Sequence, residues 1–282
     1  GSVTVDFVSP PQAEDRLAVS HTGNGAGEIG VNGTAVSYGG VNIGTAAGGE
    51  TGSSPLVIAL SGPAATPQAV QALLRNVVYS DVSNNPVVTP RTVRVVINDG
   101  SGGVSLPATR TIVLTAVNDV PIVNLPSGSL TYTENNPPMA IDSAASVQDV
   151  DSANFELGRL KVSLTQNGTV DDRLLIQPGG QITLAGNSIS YGGTPIGTIS
   201  GGTDGSTPLL VSFDVIPSTV TPSVAQDLMR NVRYFNVSDL PGSLPRQATF
   251  EVADGDGGVT TATQTINVVP TPDNPVITWV NP

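Results

Sequence analysis

What most constrains this chain is a pattern written twice. Leu73-Leu74-Arg75-Asn76-Val77-Val78-Tyr79 returns as Leu228-Met229-Arg230-Asn231-Val232-Arg233-Tyr234, and the same landmarks flank both passages. Tyr38-Gly39-Gly40 answers to Tyr191-Gly192-Gly193, Asp15-Arg16-Leu17 to Asp172-Arg173-Leu174, Asn98-Asp99-Gly100 to Ala253-Asp254-Gly255, and Asp119-Val120-Pro121 to Asp273-Asn274-Pro275. The period holds near about 155 residues, long enough for each copy to close its own core. Two tandem copies of one domain are expected, an organisation suited to spacers and multivalent surfaces.

The boundaries follow from the alignment. Residues 1–119 form the first copy, 120–274 the second, and 275–282 read as the opening strand of a third. Val3-Thr4-Val5-Asp6-Phe7 aligns with Leu160-Lys161-Val162-Ser163-Leu164, so residues 121–159 have no counterpart ahead of Val3. The first copy is therefore expected to lack its first ~35 residues, and the native protein to continue in both directions.

Charged residues make up 12% and aromatics 4% of the 282 residues, while Gly (32) and Pro (23) are abundant among Thr, Val and Ser. That profile favours short strands joined by many turns. Alternating apolar positions at 92–98, 109–117, 248–253 and 263–269 predict strands with one buried face. One short helix interrupts each copy. Thr66-Pro67 and Thr221-Pro222 supply an N-cap and an N1 proline ahead of Val70/Leu73/Leu74/Val77 and Ala225/Leu228/Met229/Val232, at the spacing of one helical face. The fold class expected is all-β: two tandem Ig-like β-sandwiches, each with one short helix.

The glycine-rich stretches 23–49 and 179–205 are flanked by strand patterns, not by a strand and a long helix, which excludes phosphate-cradling loops and leaves long hairpins. A net charge of −12, with Lys161 the single lysine, would repel phosphate backbones, so no nucleic-acid partner is expected. The excess carboxylates call for cations, and hard divalent ions prefer oxygen ligands. No cysteine is present, and no apolar run approaches the ~20 residues that span a bilayer. His21 is the only imidazole, so no catalytic triad with a supporting base can be assembled in the second copy, and the chain is not expected to be an enzyme. Asp15-Arg16 and Asp172-Arg173 are expected to form local ion pairs or cap a turn, and Asn98-Asp99-Gly100 and Asp254-Gly255-Asp256-Gly257-Gly258 to form tight hairpin turns.

The carboxylates that could make a site fall near the seam. Asn118-Asp119 ends the first copy, Glu134 follows, and then Asp149-Val150-Asp151. In an extended segment the two acids of D-x-D point to the same side and can converge on one cation. With Asp171-Asp172-Arg173-Leu174, the repeated 73–79 and 228–234 segments and the Ala116-Val117-Asn118-Asp119-Val120-Pro121 linker, these residues make the chain resemble the cadherin-like repeats of large bacterial surface adhesins. The resemblance implies that Asn118, Asp119, Asp149 and Asp151 ligate calcium at the first junction, and that Glu134 points the other way, toward Asp273 and Asn274 at the second. It departs from cadherins in a linker shorter in acid and amide groups, in the shuffled order Asp273-Asn274, and in having no clear D-R-E triplet, although Asp81, Asn84 and Asp239 fall near its place.

The function expected is that of a structural and adhesive segment of a secreted or cell-surface protein, stiffened by calcium at domain junctions. Its partners would be calcium ions, other copies of itself, or cell-surface glycans and proteins. The alternative is a glycan- or protein-binding module that uses the glycine-rich hairpins.

Overall fold

The computed structural model describes residues 1–8, 11–216 and 219–273. The chain divides into two compact units, Gly1–Val117 and Asn118–Pro282. The 275–282 segment, read as the start of a third copy, lies outside the described residues, as does Asn274.

The first unit holds β1 (Ser2–Phe7), β2 (Asp15–Val19), β3 (Ile29–Asn32), β4 (Ala35–Tyr38), β5 (Val41–Ala47), β6 (Leu56–Leu60), α1 (Pro67–Arg75), β7 (Val77–Asp81), β8 (Arg91–Asn98) and β9 (Ala108–Ile112). In the second unit β10 (Ile122–Asn124), β11 (Ser129–Thr133), β12 (Met139–Ala140) and β13 (Ser146–Gln148) come first. They are followed by β14 (Arg159–Gln166), β15 (Asp172–Ile176), β16 (Ile182–Ala185), β17 (Ser188–Tyr191), β18 (Thr194–Ser200), β19 (Leu209–Ser212), α2 (Pro222–Arg230), β20 (Val232–Asn236), β21 (Arg246–Ala253) and β22 (Val259–Val269). From β14 onward the second unit repeats the first element by element.

In the first unit a seven-stranded sheet, β3-β4-β5-β6-β1-β8-β9, faces the β2-β7 pair. In the second, the same large sheet gains a further strand, because β11 adds in parallel to β22. The small sheet becomes β12-β20-β15, and β10 pairs with β13 separately. Each sandwich encloses its own apolar cluster, built on Val3, Val5, Ile43 and Ile58 in the first unit and on Val162, Ile196, Val211 and Phe250 in the second. Every such side chain taken wholly out of water contributes about 1.5–3 kcal/mol. Among the described residues no helix is long and apolar enough to cross a membrane.

Local chemistry accounts for the shared elements. Thr66 and Thr221 are extended N-caps whose hydroxyls accept from Ala69 N and Val224 N, and the following prolines fit N1, where no amide is needed. The paired glycines 39–40 and 192–193 take the successive positive φ angles of a two-residue turn, which L side chains resist. They make the glycine-rich stretches β-meanders. The 109–117 expectation overran: β9 ends at Ile112, and Val113 and Val117 are exposed. Its counterpart β22 runs eleven residues because β11 supplies hydrogen-bond partners along its second half, and no described strand does so for β9.

The expected local ion pairs at Asp15-Arg16 and Asp172-Arg173 are not what forms. Each aspartate does cap its turn, accepting from Gln12 N at 2.8 Å and from Thr169 N at 2.7 Å. Its ionic partner, however, is distant in sequence: Arg91 for Asp15 at 2.9 Å and Arg246 for Asp172 at 3.3 Å, all four side chains fully buried. Arg16 and Arg173 instead donate to the backbone oxygens of Ala13 and Val170. A fully buried carboxylate needs a desolvated cation, and the neighbouring arginines point to the surface.

Candidate functional site

Four of the residues singled out from sequence meet at the start of the second unit, on the edge where β21 turns into β22. Asn118 Nδ2 donates to Asp254 Oδ2 at 2.9 Å and to the Asp119 carbonyl at 2.8 Å, and its Oδ1 accepts from Ser152 Oγ at 3.3 Å. Asp119 N donates to Asp151 Oδ2 at 3.0 Å, while the Asp119 side chain stays exposed. Asp149 Oδ1 accepts from the amides of Asp151 (3.2 Å) and Ser152 (2.9 Å), which curls the D-x-D segment around its own first carboxylate.

Asp254 organises the opposite wall. Its Oδ1 accepts from Asp256 N and Gly258 N at 2.8 and 2.9 Å, closing the expected hairpin turn. A side chain at Gly258 would come within 2.0 Å of Asp254 Oδ2 and 2.9 Å of both Asn118 Nδ2 and the Asp119 carbonyl, so a glycine is required for these groups to converge. The first unit has the same turn, with Asp99 Oδ1 accepting from Ser101 N and Gly103 N.

Two carboxylate oxygens are left over. Asp149 Oδ2 and Asp151 Oδ1 are buried and have no hydrogen-bond partner. A buried oxygen without a donor is costly, and two of them side by side add like-charge repulsion. Burial, and then the adjacent Asp151 carboxylate, push the Asp149 carboxyl above its ordinary value, against the pull of the Ser152 and Asp151 amides. The donor set is all oxygen, hard and anionic, which is the chemistry calcium or another hard divalent cation prefers. Among the described residues no group of three or more His, Cys, Asp or Glu side chains gathers to hold a metal. A cation here would rely on the two carboxylates together with amide, backbone and solvent oxygens. Within those terms the residues fit such an ion.

Glu134 is elsewhere. Its amide donates to Val269 O at 2.9 Å, and its Oε2 accepts from Thr271 N at 2.6 Å and Thr271 Oγ1 at 3.3 Å, leaving Oε1 buried and unpartnered. Because β11 runs parallel to β22, this places Glu134 at the far end of that strand, roughly 35 Å along from Gly258 at about 3.3 Å per residue. Asp273 is exposed near that end. Sequence reasoning missed Ser152 and Asp254 as members of the cluster. Asp254 carried a signal in its match to Asp99, but its link to Asn118 spans most of the unit. His21 sits in an exposed hairpin, where Nδ1 accepts from Val31 N at 2.8 Å.

No protein-family model and no curated protein matches this chain. Among solved structures it is similar to the protocadherin GammaB4 extracellular domain, at 11% identity and a TM-score of 0.26, over 94% of this chain and 32% of that one. Domains 4 and 5 of the S-layer protein SbsC match at 10% identity and TM-score 0.26, over 92% of this chain and 100% of that one. Human CDH23 EC21-23 matches at 15% and 0.27, over 95% and 62%. The chain thus spans about a third of the protocadherin it matches. Likenesses at this level carry no argument by themselves; the all-β sandwich architecture rests on the strands and sheets described above.

Proposed function

We propose that this chain is a structural and adhesive repeat segment of a secreted or cell-surface protein, and that a calcium ion held by Asp149 and Asp151, with Asn118 and the Asp119 backbone, fastens the linker onto the second unit and stiffens the junction. Asp273, Asn274 and Glu134 are proposed to serve the next junction in the same way. The observation that supports this is the pair of buried, partnerless oxygens on Asp149 and Asp151 beside the first two residues of the unit. A site with two carboxylates and few other fixed ligands belongs in the weak range, with a dissociation constant on the order of 10⁻⁴–10⁻³ M, where extracellular calcium is the ion that fills it.

Calcium titration by calorimetry, paired with limited proteolysis of the linker, tests the proposal. The expected result is saturable binding in that range and slower cleavage between Ile112 and Val120 when calcium is present. Binding without linker protection would remove the stiffening role, and no binding up to about 10 mM, well beyond the weak range, would remove calcium altogether. Retention on a glycan surface without calcium would favour the hairpin-loop alternative.

A further inference from the structure

The two units differ where the hairpin of β16 and β17 meets α2. Gln177 N donates to Asn231 O at 2.9 Å and Ser20 N to Asn76 O at 2.8 Å, which makes Gln177 and Ser20 equivalent positions. Ile182 faces Tyr191 across that hairpin as Ile29 faces Tyr38 in the first unit. Between these two anchors the first unit has eight residues, 21–28, and the second only four, 178–181. The longer loop lies over the glycine turn beside it: Ser37 Oγ donates to Asn24 Oδ1 at 3.3 Å, and a Cβ on Gly40 would stand 3.1 Å from Asn24 O. In the second unit a Cβ on Gly193 would meet nothing within 4 Å, and one on Gly192 would meet only Gln181 Oε1, at 3.0 Å.

The shorter loop leaves a cleft of about 340 Å³ between the 179–182 turn, Tyr191 and the side of α2 that carries Asp227 and Asn231. The turn is closed on itself, Gly179 N donating to Ile182 O at 2.9 Å and Ile182 N to Gly179 O at 3.0 Å. Tyr191 Oη donates to Asp227 Oδ2, and Asn231 Nδ2 donates to Asp227 O at 2.8 Å. The bond to Asp227, and then burial, push the Tyr191 phenol above its ordinary value, so the proton stays on the tyrosine. Asp227 Oδ1 accepts from none of the described residues, and no Lys or Arg among them pairs with this carboxylate. The Gly180 and Gln181 amides, at the tip of the turn, likewise donate to none of the described residues. In the first unit Tyr38 keeps the place of Tyr191, but Ala72 stands where Asp227 does, so the carboxylate comes together with the opening.

We propose that this cleft binds a neutral sugar ring of a surface glycan, an inference that rests on the adhesive part of the reading above and names its partner. A pyranose both donates and accepts hydrogen bonds through its hydroxyls. The cleft offers both kinds of group: Asp227 Oδ1 to accept, and the Gly180 and Gln181 amides with the Gln181 carboxamide to donate. An ammonium group, which only donates, would leave those donors unmet. A phosphate or an acidic sugar would face the Asp227 charge with no cation among the lining groups. Ile182 and the glycine backbone supply apolar surface for the C–H face of the ring. The volume stands at the small end of ligand sites, which run from about 300 to 1,000 Å³, and suits a single ring.

The test follows the backbone amide NMR signals of the 282-residue chain while methyl glycosides of glucose, galactose, mannose and N-acetylglucosamine are added in turn, first in chelator and then with calcium. At least one is expected to give saturable shifts at Gly180, Gln181 and Tyr191, with a dissociation constant of about 1–10 mM for one ring. Asp227→Ala gives α2 the residue that α1 already carries at Ala72, so the helix is kept, and it should weaken binding about tenfold or more. Tyr191→Phe keeps the ring and removes the hydroxyl, and should weaken binding about threefold to tenfold. No saturable shift with any of the four glycosides, shifts confined to other places, or full binding by Asp227→Ala would overturn the proposal. So would a need for calcium, because no lining residue belongs to the junction cluster. For the same reason a failure here leaves the calcium reading standing, and a failure to bind calcium leaves this one.

Discussion

Arg246 Nε lies 3.3 Å from Asp172 Oδ2 with both side chains sealed from water, joining β21 of the large sheet to β15 of the small one. The same aspartate accepts from Tyr234 Oη at 2.5 Å and Asn236 Nδ2 at 2.7 Å. Arg91, Asp15 and Tyr79 repeat the motif in the first unit. The pair therefore ties the two layers of each sandwich together at one fixed register.

Removing one partner should be far worse than removing both. Asp172→Ala strands a buried guanidinium, and urea denaturation is expected to show a loss of about 3–5 kcal/mol. The double variant Asp172→Leu/Arg246→Met should recover most of that loss. Equal destabilisation by the single and double variants would show that the ion pair is not what the single change breaks.

Acid should loosen both units through the same aspartates. Burial pushes the Asp172 carboxyl up, but hydrogen bonds from Tyr234, Thr169 N and Asn236, with the Arg246 charge, outweigh it and leave it below its ordinary 3.8; Asp15 behaves alike. A depressed folded-state value means that the stabilisation is fully present above the ordinary carboxylate value and is lost as pH falls through the lowered one. Melting temperatures should hold steady down to about pH 4 and drop below it. In Asp15→Asn/Asp172→Asn that acid step should shrink.

At the junction cluster, Asp149→Asn is expected to have opposite effects with and without metal. Asp149 is held above its ordinary carboxylate value by burial and by Asp151, so its ionised form costs stability in the metal-free chain. Replacement by a neutral amide should raise the metal-free melting temperature while weakening calcium binding at least tenfold. A variant that loses stability in chelator would place the aspartate in ordinary turn capping.

Gly197→Ala and Gly44→Ala should each destabilise their unit by about 2 kcal/mol or more in thermal melts. Both glycines sit at strand irregularities with φ of 156° and 157°, and a Cβ would come 1.8 Å from Ser212 O or 2.1 Å from Ala59 O. An alanine tolerated at either place would mean that the meander can shift its register.

What could be read from the residues was what repeats locally. Thr66-Pro67 and Thr221-Pro222 marked the helices because capping is decided within one turn, and Tyr38-Gly39-Gly40 marked its hairpin because two positive φ angles narrow the choice of residue. The Asp15–Arg91 pair was hidden, since nothing near Arg91 tells which carboxylate it meets across the sandwich. The parallel docking of β11 on β22 was equally invisible, because it joins segments at opposite ends of the unit; among the described residues no strand pairs with the outer edge of β9, and the expected 109–117 strand stops at Ile112. In the candidate site, Asp149-Val150-Asp151 and Asn118-Asp119 stood out by composition, while Ser152 and Asp254 joined them only through folding.

The order of elements along the second unit has a consequence for its biogenesis. Ser129 pairs with Thr265, so the first long strand made is closed by the last. During synthesis from the N-terminus, β11 and the aromatic Tyr132 must wait, uncovered, until nearly the whole unit has emerged. In an array of such repeats, the waiting segment would compete for the same receiving strands of any neighbour whose own β11 is not yet seated. Differences between neighbouring copies, such as Tyr79-Ser80-Asp81 against Tyr234-Phe235-Asn236, would then help to keep each segment with its own repeat.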